Sequence, residues 1–363
     1  MRSGSFAAAQ DDTFAMKHES GYRLGIVNPL TLVGNEIKTI LRERSFPSSK
    51  VVLLDSTGKA EGALTELDDE PAVVAAVSDD DLKELDLVFF CGPAAGNRQW
   101  IERSGEDKFT AIDLSQPTTA DDAKLAVAGV NLDDVDADDN VLVSPHPVAI
   151  PIALVLHQIE QLSPIESCTA TVVQPASEFE QQGVEELAQQ TISVLGVHAI
   201  PKEIFDRQLA FNLYPALERN ETFIVSQIRA LTDPRAAIAL LITQGTIFHG
   251  HTFSLFIKLK NGAPANTAHS PAKAGAPLRD VSVDAIVESL RKNPAIAFPE
   301  GDQQFGTIDA AGRDEVLIAE VRADPTIPGG FWVWAVCDNL RRSSALNAVL
   351  VAEKVLFGSG KAN

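Results

Sequence analysis

The sequence predicts an α/β chain of two halves, a doubly wound parallel sheet followed by an α+β domain with a large mixed or antiparallel sheet. Three observations carry that prediction. The chain opens with a β-α-β unit: an apolar strand over Tyr22–Asn28, helical spacing of Val33, Ile37, Ile40 and Leu41, and a second strand over Val51–Asp55. Short apolar runs at Leu85–Gly92, Thr110–Leu114 and Asn140–Val143 then read as further buried strands ending in turn chemistry. After an Ile-, Leu- and Val-rich helix over Ile150–Leu162 the pattern changes. Ser167–Gln174 alternates as a strand, and Ala239–Thr246 and His251–Leu259 are long strands suited to an antiparallel sheet.

Between and after these strands, Glu178–Leu195 reads as a helix with a Glu/Gln face, and Asn261–Leu278, rich in Ala, Pro, Gly and Asn, as a loop. Ser282–Lys292 follows as a helix, Phe331–Cys337 as a strand and Ala345–Leu356 as a closing helix able to return to the first half. The 363 residues favour two domains. The expected boundaries are a disordered polar tail over 1–20, a first domain over 21–145, a second over 146–335, and a C-terminal helix over 336–358 that returns to the first. No internal repeat is visible.

Composition excludes several function classes. The share of hydrophobic residues is 45% and of charged residues 22%, globular values that allow a sizeable core. Fifty acidic against thirty basic side chains give a net charge of −20, a field that repels nucleic acid and anionic membranes. The acidic clusters Asp79–Asp81 and Asp133–Asp139 lack the Gly and terminal Glu of a calcium loop. The three cysteines, Cys91, Cys168 and Cys337, sit in apolar strand-like runs without paired spacing, as expected for small buried hydrophobes in a reducing cytoplasm. No apolar run approaches the ~20 residues needed to span a bilayer. The first twenty residues have no apolar core of a signal peptide, and translation starting at Met16 is an equal possibility.

The first strand-to-helix turn is Val27-Asn28-Pro29-Leu30-Thr31-Leu32-Val33-Gly34. A Rossmann-type turn uses glycines so that backbone amides reach a pyrophosphate at the helix start. Only Gly34, the helix-packing position, remains. Pro29 removes a donor, and Leu30 puts bulk where phosphate would rest. Asp55, at the end of the second strand, is placed either to accept from a ribose 2′-hydroxyl, favouring NAD over NADP, or to cap a turn. His249 and His251 flank Gly250 on an expected strand and so share a face. With no carboxylate or cysteine nearby in sequence they predict no metal site, although one could serve as a general acid or base.

Further residues carry a resemblance. They are Leu41-Arg42-Glu43-Arg44-Ser45-Phe46-Pro47, Gly58-Lys59, Phe89–Gly96 and Val172-Val173-Gln174-Pro175-Ala176-Ser177. Later come Arg207-Gln208-Leu209-Ala210-Phe211-Asn212-Leu213-Tyr214-Pro215, Gly250-His251 and Trp334-Ala335-Val336-Cys337-Asp338-Asn339-Leu340-Arg341. Over nearly its whole length the chain resembles the aspartate-β-semialdehyde dehydrogenase family, and within it the cysteine-less paralogues. Active members form a thioester through a cysteine in an Asn-Pro-Asn-Cys-Ser-Thr-like segment at a helix start, because a thiolate must attack the aldehyde carbonyl before hydride leaves.

Here that segment reads Ser144-Pro145-His146-Pro147-Val148-Ala149, so the nucleophile position is Pro147. The resemblance matches His251 to the family's general base and Gln174 to a residue near the thioester. It places Gly34, Asp55, Gly92, Asp338 and Asn339 around a cofactor crevice. The phosphate-binding Arg matches Thr119 and the carboxylate-binding Arg matches Gln244, while the Glu and Lys after the Phe-Asn block have no clear counterpart around Arg219–Ile224.

The resemblance, with these departures, implies a non-catalytic dimeric binding or regulatory homologue with His251 and Gln174 vestigial, while the first turn and Asp55 leave NAD as the cofactor to expect if any binds and NADP as not expected. The alternative is an NAD(P)-dependent oxidoreductase of the family with altered chemistry in amino-acid biosynthesis. Expected partners are a second copy, a small-molecule ligand and an active relative in a mixed oligomer. The copy would dock on an apolar face carrying Leu255 and Ile257. Nucleic acid, membrane and metal are not expected.

Overall fold

The computed structural model describes residues 21–107, 109–115, 123–216, 220–233, 235–260, 281–301 and 303–358. The expected tail, the Asn261–Leu278 loop, Thr119 and Arg219 lie outside these residues. The chain divides into two compact units, one of residues 1–124, 135–144 and 348–363, the other of residues 125–134 and 145–347.

The first unit is built on a seven-stranded sheet. Its opening strand β1 (Tyr22–Val27) leads into helix α1 (Leu32–Glu43) and strand β2 (Ser48–Asp55). A hairpin follows, β3 (Leu64–Leu67) with β4 (Glu70–Val73), whose two-residue turn puts Asp68 and Asp69 both at positive φ (53° and 63°). Then come β5 (Ala75–Ala76), β6 (Leu87–Phe90), helix α2 (Ala94–Ile101), β7 (Thr110–Asp113), β8 (Lys124–Leu125) and β9 (Val141–Val143). The order β5-β2-β1-β6-β7-β9-β8 reverses at β1, with parallel pairing of β1 to both β2 and β6. That reversal creates the switch point at which such sheets take ligands, beyond the carboxyl ends of β1 and β6.

The second unit begins its regular structure with helix α3 (Ala149–Glu160), strand β10 (Ile165–Gln174) and helix α4 (Glu180–Leu195). Strand β11 (Leu213–Pro215), helix α5 (Glu221–Leu231), β12 (Ala237–Gly245) and β13 (His251–Leu259) follow. The remaining elements are helix α6 (Val283–Leu290), β14 (Ile296–Ala297), β15 (Val316–Ala323), β16 (Gly330–Cys337) and closing helix α7 (Leu346–Phe357), which follows a π turn over Arg341–Ala345. Most of α7 groups with the first unit, where Leu356 accepts a hydrogen bond from the Tyr22 hydroxyl (2.7 Å) and Glu353 takes both donors of Arg44.

The second sheet has the order β11-β12-β10-β13-β16-β15-β14 and is mixed. This agrees with the mixed or antiparallel sheet expected from the sequence: β12 runs parallel to β10 and β13 antiparallel to it, so the two long strands flank β10. Alternation along β10 and β13 buries Cys168, Ala170, Val172, Phe253, Leu255 and Ile257 on one face, on which α3 and α5 pack. Leu255 and Ile257 therefore lie in the unit's own core, which corrects the expectation that they mark a docking face. The opposite, half-open face carries Thr169, Thr171, Val173, Leu241, Phe256 and Trp334.

Candidate functional site

At the switch point of the first unit, Asn28 stands at φ 58° directly after β1. Asn tolerates that left-handed conformation better than most residues because its short amide bonds locally. Its Nδ2 donates to the Cys91 carbonyl at the end of β6 (2.7 Å), and its Oδ1 accepts from the Ser56 amide just past β2 (3.1 Å). Asn97 completes the clasp: its Oδ1 accepts from the Ser56 hydroxyl (2.7 Å) and its Nδ2 donates to the Cys91 carbonyl (2.8 Å). Side chains thus fill the crevice floor that a glycine turn leaves open.

The other expected cofactor positions are built into the same turns. The Thr31 hydroxyl caps α1 by accepting from the Gly34 amide (3.0 Å), and a Cβ on Gly34 would lie 2.7 Å from the Asn28 carbonyl, so Gly34 is a packing glycine. Gly92, at φ 74°, allows close approach to Thr31 and Asn28. Asp55 is fully engaged: Oδ1 accepts from the Thr57 amide and hydroxyl (3.1 and 2.7 Å) and Oδ2 from the Ala60 amide (2.9 Å). Burial raises its carboxyl pKa, but the Ala60 and Thr57 donors outweigh it and hold the group below its ordinary value. Asp55 is a turn cap in this structure.

In the second unit, strand register assembles the family-like residues. Gln174 pairs with Gln244 across β10–β12, and His251 with Cys337 across β13–β16. Val173 opposes Thr252, so the next rung of that antiparallel ladder sets Gln174 beside His251. The row Gln244–Gln174–His251–Cys337 therefore crosses four strands on the helix-covered face. Gln174 Nε2 donates to Gln244 Oε1 (2.8 Å), and Gln244 Nε2 donates to the Gln174 carbonyl (3.2 Å). The second bond goes to the Gln174 backbone, so the pair ties β12 to β10, and neither amide offers the bidentate charge that an Arg presents to a carboxylate.

His251 is completely buried, and neither ring nitrogen has a hydrogen-bond partner among the described residues. Burial and then the neighbouring His146 push its imidazole down to about 3, so the ring is neutral. Its Nε2 lies 3.4 Å from Glu178 Oε1, and Asn339 holds that carboxylate, donating from Nδ2 to Glu178 Oε1 (3.0 Å) while its Oδ1 accepts from the Gly250 amide (2.9 Å). His249 does not share the His251 face: Gly250 turns at φ 85° and the strand starts only at His251. Asp338 is a cap, accepting from the Leu340, Arg341 and Gly312 amides. Among the described residues no group of three or more His, Cys, Asp or Glu could hold a metal ion.

Pro147 lies just ahead of α3. The chain reaches the helix through His146, whose amide donates to Gln227 Oε1 (2.8 Å) and whose Nδ1 accepts from the Val148 amide (3.2 Å). The other ring nitrogen, Nε2, lies 3.3 Å from Asn220 Nδ2. Burial pushes the His146 imidazole down to about 4. Cys337 adjoins His251 in the row, but it is completely buried and desolvation pushes its thiol up to about 12. The thiolate fraction near neutral pH is then roughly one in 10⁵, far too small for a nucleophile. Cys168 is equally buried and equally raised.

The sequence did not mark Glu178, Asn220 or Gln227. Glu178 was absorbed into a predicted helix, whereas the chain makes a short 3-10 turn over Ala176–Phe179 before α4. The helix holding Gln227 escaped the sequence reading as well, although the spacing of Ile224, Ile228 and Leu231 carries its signal.

A parallel sheet with a switch point, followed by a mixed sheet carrying the Gln244–Gln174–His251–Cys337 row, defines a scaffold of a Rossmann-type unit and an α+β unit. The descriptions "semialdehyde dehydrogenase, NAD binding domain" and "semialdehyde dehydrogenase, dimerisation domain" match residues 24–138 and 156–342. The chain belongs to the semialdehyde dehydrogenase family. It is 24% identical over 346 residues to an aspartate-semialdehyde dehydrogenase of Rickettsia bellii, covering 92% of this chain and 98% of the relative. It is 28% identical over 349 residues to a USG-1 protein homolog of Pseudomonas aeruginosa, covering 92% and 97%. Among solved structures, a probable aspartate-semialdehyde dehydrogenase from Pseudomonas aeruginosa superposes with a TM-score of 0.83 at 26% identity, covering 93% of this chain and 98% of that one. Aspartate semialdehyde dehydrogenase II from Vibrio cholerae shares the fold, with a TM-score of 0.81 at 23% identity and coverage of 94% and 99%.

Proposed function

We propose that this protein is a non-catalytic, homodimeric binding or regulatory member of its family, akin to cysteine-less paralogues. The observation that carries the proposal is Pro147 ahead of α3, with Cys168 and Cys337 buried and protonated. Thioester formation needs a thiolate at that helix start, and no described side chain takes its place. Gln244 paired with Gln174, and Thr119 where the phosphate-binding Arg stands in active members, remove the anion clamps as well. The dimer would form through the open face of the second sheet around Leu241, and a mixed oligomer with an active relative would use the same face. A cytoplasmic setting fits the three unpaired buried thiols, and no described helix is long and apolar enough to cross a membrane.

A second reading, an NAD(P)-dependent oxidoreductase with altered chemistry in amino-acid biosynthesis, draws on the His251–Glu178 approach of 3.4 Å. Titration calorimetry with both dinucleotides separates the two. The clasp of Asn28, Ser56 and Asn97 at the switch point predicts negligible NADP binding and at best weak NAD binding. A micromolar NADP affinity would move the second reading ahead.

A further inference from the structure

We infer that Glu178 is a positioning residue for His251, fixing the imidazole as its Nε2–H tautomer and leaving Nδ1 as a buried hydrogen-bond acceptor. The inference rests on the reading of this protein as a binding homologue without turnover. The geometry is a closed loop of neighbours. Asn339 ties the backbone immediately before His251 to Glu178 by accepting from the Gly250 amide with Oδ1 and donating to the carboxylate with Nδ2. The Ser177 hydroxyl lies against the same Asn339 side chain, 3.2 Å from Oδ1 and 3.1 Å from Nδ2. The carboxylate oxygen so held faces His251 Nε2 at 3.4 Å, an electrostatic approach that falls outside hydrogen-bond geometry.

A neutral imidazole carries one proton, and the nitrogen facing a carboxylate is the one that keeps it. The other nitrogen is then a lone pair. Nδ1 of His251 is fully buried and accepts from nothing among the described residues. A buried acceptor without a donor costs on the order of 1–3 kcal/mol, so a donor brought to Nδ1 would be favoured by a comparable amount. Phe253 packs edge-on against the ring (5.7 Å between centroids), so the ring cannot easily turn to exchange its two nitrogens. The chemistry complementary to Nδ1 is a hydroxyl or N–H donor. An anionic oxygen would meet a lone pair, with no Arg from Gln244 to compensate.

The test is the tautomer itself, read from long-range proton–nitrogen spectra of protein with ¹⁵N-labelled histidine, His251 being assigned by difference against His251→Gln. The expected wild-type pattern is an Nε2–H ring with a non-protonated Nδ1 at pH 7. Glu178→Ala should remove that preference, giving a mixture or the Nδ1–H form. Glu178→Gln, which keeps the shape, should give an intermediate population. A merely structural role for Glu178 would move melting temperature and leave the tautomer unchanged. An Nδ1–H ring in the wild type, or the same Nε2–H pattern in both variants, overturns the inference while leaving the Pro147 argument standing. Turnover by the wild type would overturn that argument and leave the tautomer assignment standing.

Discussion

Replacing Asn28 tests whether the switch point has become a structural clasp. In Asn28→Ala two contributions are lost. The left-handed backbone at φ 58° costs Ala about 1 kcal/mol, since a Cβ without a locally bonding amide is disfavoured there. The Ser56 amide loses its acceptor, an uncompensated donor worth about 1–3 kcal/mol, while the Cys91 carbonyl keeps its bond from Asn97. The sum is about 2–4 kcal/mol. Asn28→Gly forfeits the side chain but not the conformation, so it should be milder by about 1 kcal/mol. Urea unfolding followed by circular dichroism gives both numbers. Asn28→Gly should also gain no NADP affinity, because Thr31 still occupies the Gly34 amide. Losses below 0.5 kcal/mol in both variants, by that same ~1 kcal/mol scale, would refute the clasp.

Three further outcomes are expected. His251 has a folded pKa near 3 against an ordinary 6.5, so the unfolded chain protonates first. Stability is then intact above about pH 6.5 and falls by ~1.4 kcal/mol per pH unit below it, with part-buried His146 adding in the same direction. Unfolding midpoints at pH 7 and 5 should fall less steeply in His251→Gln, and equal slopes would contradict the burial argument. Light scattering should show a homodimer at micromolar concentration, and Leu241→Asp, at the 49% exposed side chain on the open sheet face, should shift it towards monomer. Pro147→Cys should fold yet give no semialdehyde turnover, because Gln244 and Thr119 leave the anion pockets without charge.

Much of this fold was legible because its strongest signals are local. The Val33–Leu41 spacing marked α1, and strict alternation marked β10 and β13 to within two residues. Partnering was less legible, since alternation states which residues share a face and not which neighbour a strand takes. The Leu255 and Ile257 face was consequently assigned outward although α3 and α5 cover it. The β3–β4 hairpin escaped because Asp68-Asp69 makes its turn without the Gly that usually signals one. At the candidate site, Gln174 and His251 were singled out from flanking motifs, and the β10–β13 register sets them side by side. Glu178 was not, because its meeting with His251 depends on a 3-10 turn and on Asn339, some 160 residues away in sequence.

The most direct test of the central claim is NADPH formation by the purified wild-type protein with aspartate semialdehyde, phosphate and NADP. Pro147 ahead of α3, and thiols held protonated at Cys168 and Cys337, predict no phosphate-dependent absorbance change above the enzyme-free rate. Saturable turnover at about 1 per second or faster, the range of ordinary enzymes, would contradict it.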